Sequence, residues 1–229
     1  MTISDKLQAV RQRVSDACAR SGRNPDEVRI VVVTKTVGID VINELIRLGV
    51  NDIGENRVQD AMPKMAAVRQ RPDPPAVTFH MIGHLQTNKA AQAVRTFDVI
   101  HSIDSIRAAE AVSRAADAQH KLMPILLEAN VSGEESKYGL NPDAARASAP
   151  QIAVLPAVRL DGLMTMAPLG ASERTIRPVF RGLRELRDQI ASQCGIALPH
   201  LSMGMSQDYE IAIEEGATMV RVGTAIVGE

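Results

Sequence analysis

Residues 28 to 35 read Val-Arg-Ile-Val-Val-Val-Thr-Lys, an almost unbroken run of β-branched side chains that ends in a single lysine. A short apolar run of this kind predicts a buried strand, with Lys35 at its C-terminal tip. Two interpretations of this lysine follow. Its ammonium group either extends to solvent or to a carboxylate, or it lies in a dry pocket as an amine that forms a Schiff base.

Further strands follow along the chain, and each is followed by a helical pattern. The eight strands lie near residues 30, 52, 80, 99, 126, 160, 201 and 220. This regular alternation, with no Pro/Gly-rich linker between halves, predicts an α/β fold of the (β/α)8 TIM barrel type. A doubly wound open sheet is the alternative, but the turn after the first strand, Thr34 to Gly38, lacks the glycine pattern of dinucleotide-binding folds.

An extra helix is predicted in front of the barrel. Apolar residues recur at helical spacing over residues 4 to 20, and Ser4 with Asp5 is the expected N-cap. Asn141 is expected to cap a later helix in the same way. The barrel should therefore carry one additional N-terminal helix on its outside.

Composition limits the class of protein. A chain of 229 residues is long enough for one sizeable domain, so residues 1–229 are expected to form a single domain. A formal charge of -1 and 2% aromatic residues argue against a nucleic-acid partner. With no apolar stretch near membrane-spanning length and no signal-peptide pattern, we expect a cytoplasmic protein that does not bind membranes. Cys18 and Cys194 are expected to be free thiols.

Two glycine-containing segments end the seventh and eighth strands, where TIM barrels commonly hold phosphate groups. They are Ser202-Met203-Gly204-Met205-Ser206 and Arg221-Val222-Gly223-Thr224. Small residues let backbone N–H groups approach an anion, while Ser206 and Thr224 add hydroxyls and a helix begins just after Ser206. Each glycine could instead serve only a tight turn, but their presence in both segments favours an anion site.

Barrel closure would bring this anion site next to the lysine, because strand eight of a barrel lies beside strand one. Arg221 and Thr224 would then lie close to Lys35. A ligand with an aldehyde at one end and a phosphate a few bonds away would span both sites, and pyridoxal 5'-phosphate (PLP) has this shape. Arg221 would face its ring nitrogen, or else pair with a carboxylate such as Glu128 or Glu55.

Seven ordered blocks, which cover almost the whole chain, resemble the PLP homeostasis protein family, the single-domain relatives of the alanine racemase barrel. The blocks are Val-Thr-Lys-Thr at 33–36, Asp-Ile-Gly-Glu-Asn-Arg-Val-Gln at 52–59, Phe-His-Met-Ile-Gly-His-Leu-Gln-Thr-Asn-Lys at 79–89, His-Ser-Ile-Asp-Ser at 101–105, Gly-Leu-Met-Thr-Met-Ala-Pro at 162–168, Leu-Ser-Met-Gly-Met-Ser at 201–206 and Val-Arg-Val-Gly-Thr-Ala-Ile-Val-Gly at 220–228. A resemblance in seven blocks is far more specific than one in a short motif.

The resemblance implies a PLP-binding (β/α)8 barrel in which Lys35 is the Schiff-base lysine. The other residues that it implies are Ser206, Gly223 and Thr224 at the phosphate, Arg221 at the pyridine nitrogen, and Asn56 and Met203 along the cofactor. It implies no catalytic residue and no metal ligand. His84 stands where some relatives have proline and is assigned no role. Lys137 matches a family block, and we interpret it as a solvated loop lysine.

The resemblance also bears on catalysis. PLP enzymes need an electron sink, and racemases need acid/base groups on both faces of the cofactor. An arginine at the pyridine nitrogen would disfavour its protonation and weaken the sink. In alanine racemases the opposing base is a tyrosine from a second domain of the partner subunit, and no such domain is expected here.

We therefore expect a monomeric PLP-binding protein that takes part in vitamin B6 and amino-acid homeostasis without substantial catalysis. PLP-requiring apo-enzymes are candidate acceptors of its PLP. The alternatives are a weak amino-acid racemase, a Schiff-base aldolase that acts on a phosphorylated sugar, and an interaction scaffold with a vestigial site.

Overall fold

The structure is a computed structural model that describes residues 1–134 and 137–228. Within these residues, eight parallel strands close into a barrel in which their order follows the sequence. The strands are β1 (Arg29–Val33), β2 (Asp52–Glu55), β3 (Thr78–Met81), β4 (Val99–Ile103), β5 (Met123–Glu128), β6 (Val158–Met164), β7 (His200–Met205) and β8 (Met219–Val222). The predicted (β/α)8 barrel is confirmed.

In the described part of the chain, an α-helix follows each strand and one further helix precedes them. The helices are α1 (Ile3–Ser21), α2 (Ile39–Arg47), α3 (Val58–Arg69), α4 (Ala90–Thr96), α5 (Ile106–Asp117), α6 (Pro142–Ala153), α7 (Glu173–Cys194), α8 (Tyr209–Glu214) and α9 (Thr224–Val227). None of these helices combines the length and apolar character that a bilayer-spanning helix needs. The predicted extra N-terminal helix is α1.

One helix start differs from the prediction, one agrees with it, and one short helix was not predicted. α1 is capped by Thr2, not by Ser4: the Thr2 hydroxyl accepts from the Asp5 N–H at 3.1 Å, and the Asp5 carboxylate accepts from the Thr2 N–H at 2.8 Å. Ser4 lies inside the helix because this reciprocal pair already satisfies the first turn. Asn141 caps α6 as predicted, through its side-chain oxygen. The single turn of α9 was not predicted, since four residues are too few to show a helical period.

Strand residues alternate between two environments. Val32, Leu127 and Leu201 belong to the large apolar cluster between the barrel and its helices. A much smaller apolar cluster lies inside the barrel and consists of Val31, Leu126, Met164 and Met219. The remaining inward positions include the buried polar residues His80, His101, Ser202 and Arg221. The interior of this barrel is therefore largely polar, whereas its outer layer is apolar.

The backbones of β6 and β7 come into close contact at Gly162. The register between β5 and β6 shifts at a bulge, so that Leu126 pairs with Gly162. Gly162 also pairs with His200 of β7, and a Cβ atom on Gly162 would lie only 1.9 Å from the His200 carbonyl oxygen. A side chain at this position would force the two strands apart.

We predict that Gly162→Ala lowers the free energy of unfolding by about 3 kcal/mol, because the backbone of β7 has to move away. Denaturant unfolding of both proteins measures the difference. The matched control is Gly38→Ala, where a Cβ atom would meet nothing within 4 Å. Because Gly38 is the N-cap of α2, where alanine is less favourable than glycine, this substitution should cost at most about 1 kcal/mol. Equal effects of the two substitutions would contradict the prediction.

Candidate functional site

The C-terminal ends of the strands meet at one face of the barrel, which we call the barrel mouth. Lys35 lies two residues after the end of β1, and Asn56 follows β2 directly. Barrel closure brings β8 next to β1, with pairs from Arg29↔Met219 to Val32↔Val222. Lys35 and the residues at the end of β8 therefore share one part of the mouth.

Gly223 makes the contact between these two ends. A Cβ atom on Gly223 would lie 3.3 Å from Cβ of Val33, which is two residues before Lys35. On the other side of β1, the Thr34 N–H donates to the Gly54 carbonyl of β2 at 3.0 Å. The turn that carries Lys35 is thus held between β2 and the start of α9.

Lys35 itself lies in a turn beyond the last paired residue of β1, and its side chain is exposed. It has no hydrogen-bond or ion-pair partner among the residues that the structure describes. The nearby Glu55 is already bound, since its Oε1 accepts from Thr34 Oγ1 at 2.7 Å and from Lys64 Nζ at 2.9 Å. Of the two interpretations of this lysine, the structure shows the solvent-exposed one. Its role as a Schiff-base lysine stays a prediction.

Backbone N–H groups converge at the start of α9. The N–H groups of Gly223 and Ala225 both donate to Ser206 Oγ, at 3.2 and 3.3 Å. Convergence of two N–H groups on one oxygen is typical of anion-binding backbone. Thr224, between them, is exposed at the mouth. The structure brings Ser206, Gly223 and Thr224 together as the prediction of an anion site requires.

The second glycine of the predicted anion site serves packing. Gly204 has φ +92°, and a Cβ atom there would lie 2.6 Å from Cβ of Ala212 in α8. Only glycine allows this conformation and this close approach. Of the two glycines, Gly204 therefore has the structural role that the alternative interpretation gave it.

Arg221 projects into the barrel and is buried, with 4% of its surface exposed. Its Nη1 donates to Ser202 Oγ at 2.7 Å, and its Nη2 donates to the Thr165 carbonyl at 2.9 Å. Burial lowers the pKa of Arg221 to about 10, against the opposing charges of Glu128 and Asp208. The guanidinium thus stays charged at neutral pH and is fixed by neutral partners, with no carboxylate ion pair among the described residues.

Asn56 and Met203 lie in different surroundings. Asn56 is half-buried and lines a cavity of about 440 Å³ together with Met81, His84 and Tyr138. Met203 is fully buried, and its side chain belongs to the large cluster that faces the helices. Only its backbone faces the inside of the barrel, since side chains alternate along β7. Contact of Asn56 and Met203 with a cofactor stays a prediction.

Two further residues at the barrel mouth, His84 and Lys137, make contacts that the sequence did not predict. The His84 ring stacks on Tyr138 with centroids 4.2 Å apart, and its Nδ1 lies 3.0 Å from a carboxylate oxygen of Asp104. Lys137 is not a solvated lysine, which corrects our interpretation: its Nζ donates to the Met166 carbonyl at 3.1 Å and also to the Ala167 carbonyl. These bonds connect the loop after β5 to the loop after β6.

Glu128 was missed as a functional candidate in its own right. It ends β5, faces the barrel interior and is 3% exposed. Burial and the charge of Asp104 together raise the pKa of Glu128 to about 7, against the opposing effect of Arg221. The alternation of β5, with Leu126 inside and Leu127 outside, could have placed this carboxyl group inside the barrel.

We predict that Glu128 makes stability depend on pH. Its pKa is higher in the folded state, so the folded protein binds more protons than the unfolded chain between about pH 5 and pH 7, and stability falls as pH rises through that range. Glu128→Gln should therefore raise the free energy of unfolding at about pH 8 by on the order of 3 kcal/mol, with most of the gain gone near pH 5. Denaturant unfolding at both pH values measures this. The control is Glu110→Gln, because Glu110 is only half-buried, and a gain independent of pH would contradict the prediction.

Comparisons with known proteins identify relatives that match over almost the whole chain. The sequence model of the alanine racemase N-terminal domain matches residues 6–229. The pyridoxal phosphate homeostasis protein of Aquifex aeolicus is 40% identical over 229 residues, which cover 100% of this chain and 99% of that protein. The pyridoxal phosphate homeostasis protein of Synechocystis is 38% identical over 205 residues, covering 90% of this chain and 93% of that protein.

Solved structures lead to the same family. PipY of Synechococcus elongatus, solved with PLP bound, is 34% identical and superposes with a TM-score of 0.86, covering 99% of this chain and 100% of that one. An alanine racemase of Clostridium difficile has a TM-score of 0.78 at 13% identity, covering 98% of this chain and 57% of that one, which shows the shared fold alone. Full-length matches in sequence and structure place this chain in the pyridoxal phosphate homeostasis protein family, within the alanine racemase N-terminal domain fold.

Proposed function

We propose that this protein binds PLP at the barrel mouth and takes part in vitamin B6 and amino-acid homeostasis, without substantial catalysis. The observation that supports this proposal most directly is the contact between the end of β1 and the start of α9. There Gly223 packs on Val33, two residues before Lys35. This contact makes an amine and an anion-binding backbone neighbours. The names of the relatives and the PLP bound to PipY support the same ligand.

The residues at the mouth fit PLP chemically. When bound, PLP supplies an aldehyde that condenses with amines. Lys35, exposed and without a partner among the described residues, would hold it through a Schiff base. The N–H groups of Gly223 and Ala225, with the Ser206 hydroxyl, would hold the phosphate. Asn56 and Met203 would lie along the ring, and Thr224 would add its hydroxyl at the phosphate.

Arg221 supports the absence of substantial catalysis. A guanidinium that stays charged in the barrel interior opposes protonation of a pyridine nitrogen placed against it, because two positive charges would then be close. A neutral ring withdraws electrons less strongly than a protonated one. Arg221 would therefore position PLP while keeping its reactivity low, which suits reversible holding of the cofactor.

The wider setting follows from the same proposal. We propose a single PLP-binding domain over residues 1–229 that acts as a cytoplasmic monomer and gives its PLP to PLP-requiring apo-enzymes. The free thiols of Cys18 and Cys194 suit a reducing compartment. Light scattering of the purified protein tests the monomer, since a mass of twice 24.7 kDa would contradict it.

We predict that borohydride reduction of the PLP-loaded protein adds a PLP-sized mass to the peptide that contains Lys35. The adduct should be lost in Lys35→Ala. It should persist in Lys89→Ala. Lys89 is the matched control because it is another lysine near the proposed site, in the cavity that Asn56 also lines. Peptide mapping by mass spectrometry gives the site. An adduct on Lys137, or one that persists in Lys35→Ala, would contradict the proposal.

The rival functions have their own readouts. We predict that optical activity stays constant when the PLP-loaded protein is incubated with L- or D-amino acids. Racemisation needs acid/base groups on both faces of the cofactor, and among the described residues we assign such a group only on the Lys35 side. Racemisation that disappears in Lys35→Ala would establish the racemase alternative instead. Trapping of a phosphorylated sugar on Lys35 by borohydride, in protein free of PLP, would indicate an aldolase.

A further inference from the structure

A continuous chain of hydrogen bonds crosses the barrel interior. Arg221 Nη1 donates to Ser202 Oγ at 2.7 Å, and Ser202 Oγ lies 2.9 Å from His101 Nδ1. His101 Nε2 lies 2.9 Å from His80 Nδ1. His80 Nε2 lies 2.9 Å from Asp52 Oδ1. We call these five residues, from Arg221 to Asp52, the interior polar chain.

The interior polar chain runs from the barrel mouth to the opposite end. Ser202, His101 and His80 have no exposed surface. Asp52 is the first residue of β2 and lies at the N-terminal end of the barrel, where its side chain is partly exposed and 3.8 Å from Arg29 Nη1. Buried polar groups that are fully hydrogen-bonded hold one arrangement, since any rearrangement leaves a group unsatisfied.

When both histidines are neutral, the carboxylate of Asp52 fixes one direction along the interior polar chain, because a carboxylate only accepts. Arginine carries only donors, so Ser202 Oγ accepts from Arg221 and is free to donate its own proton to His101 Nδ1. The proton of His101 then lies on Nε2 and is donated to His80 Nδ1. His80 in turn donates its Nε2 proton to the carboxylate of Asp52. With both rings neutral, this arrangement requires the Nε2–H tautomer of His80 and of His101, between the guanidinium of Arg221 and the carboxylate of Asp52.

The surroundings favour this neutral state of His101. Burial lowers the pKa of His101 well below its usual range, and the positive charge of Arg221 acts in the same direction. His200, on β7, acts in the same direction. The other charged groups that face the chain are Arg29 beside Asp52, Asp161 and Arg159 near His200, and Glu128 and Asp208 near Arg221.

We propose that Ser202, His101 and His80 are positioning residues that orient the Arg221 guanidinium at the ring of bound PLP, with Asp52 as the terminal acceptor. The proposal rests on the proposed function. The guanidinium is held by two bonds, to Ser202 Oγ and to the Thr165 carbonyl. Without the first, the group can rotate about the second and move toward Glu128. The interior polar chain thus keeps the guanidinium of Arg221 directed at the ring nitrogen.

The tautomers can be tested without PLP. Long-range ¹H–¹⁵N NMR spectra of the PLP-free protein should show His80 and His101 as neutral Nε2–H tautomers at about pH 7. In Ser202→Ala, the Nδ1 signal of His101 should shift because its donor is removed. Ser102→Ala is the matched control, since Ser102 is equally buried and its Oγ has no partner among the described residues. An Nδ1–H tautomer or a protonated ring at His101 would overturn the proposal.

The effect on the cofactor is tested by titration with PLP. Ser202→Ala should weaken PLP binding about tenfold, by the loss of one charged hydrogen bond. The pH profile of the bound PLP spectrum should also move upward, because the ring nitrogen then protonates at higher pH. Ser202→Thr, which keeps the hydroxyl, should restore both properties, and Ser102→Ala should leave both unchanged.

The two proposals fail differently in this titration. If the wild-type protein does not bind PLP, the proposed function and the positioning role are both overturned. If the wild type binds PLP and Ser202→Ala has the same affinity and pH profile, only the positioning role is overturned.

Discussion

The pairing of β8 with β1 is the interaction on which the rest of this structure depends. Four residue pairs, from Arg29↔Met219 to Val32↔Val222, close the barrel. Closure places Gly223 against Val33 and so brings the N–H groups at the start of α9 to the turn that carries Lys35. These groups are nearly 190 residues apart in the sequence, and no local preference could join them. The proximity of the Lys35 turn to the start of α9 is therefore a consequence of the barrel topology.

Closure also creates an interior that is unusually polar for a barrel core. The inner apolar cluster contains only Val31, Leu126, Met164 and Met219. A buried charge such as Arg221 would be costly without partners. The hydrogen bonds to Ser202 and Thr165, and the histidines beyond Ser202, compensate for that cost. An apolar interior would pack equally well but could not hold a guanidinium at the mouth, so the composition of the interior fits the proposed PLP site.

Local patterns were sufficient to predict the architecture. β-branched runs and helical periods gave the eight strand–helix units, and Asn141 was identified correctly as a cap. The start of α1 was misplaced because both Thr2 and Ser4 can cap a helix, and only the reciprocal bond between Thr2 and Asp5 selects the first. The turn of α9 is too short to carry a periodic signal.

The site was predictable in its strand ends but not in its interior. Lys35, Ser206 and Arg221 follow from the position of their strands. The interior polar chain depends on which side chains of five strands meet inside the barrel, and a single sequence does not give that register. The same holds for Lys137, whose carbonyl partners lie in another loop.

The most direct test of this account is a crystal structure of the protein with PLP. The account predicts continuous electron density from Lys35 Nζ into the cofactor ring, with the phosphate at the N–H groups of Gly223 and Ala225. PLP bound without a bond to Lys35 and with its phosphate away from the N–H groups of Gly223 and Ala225 would contradict it.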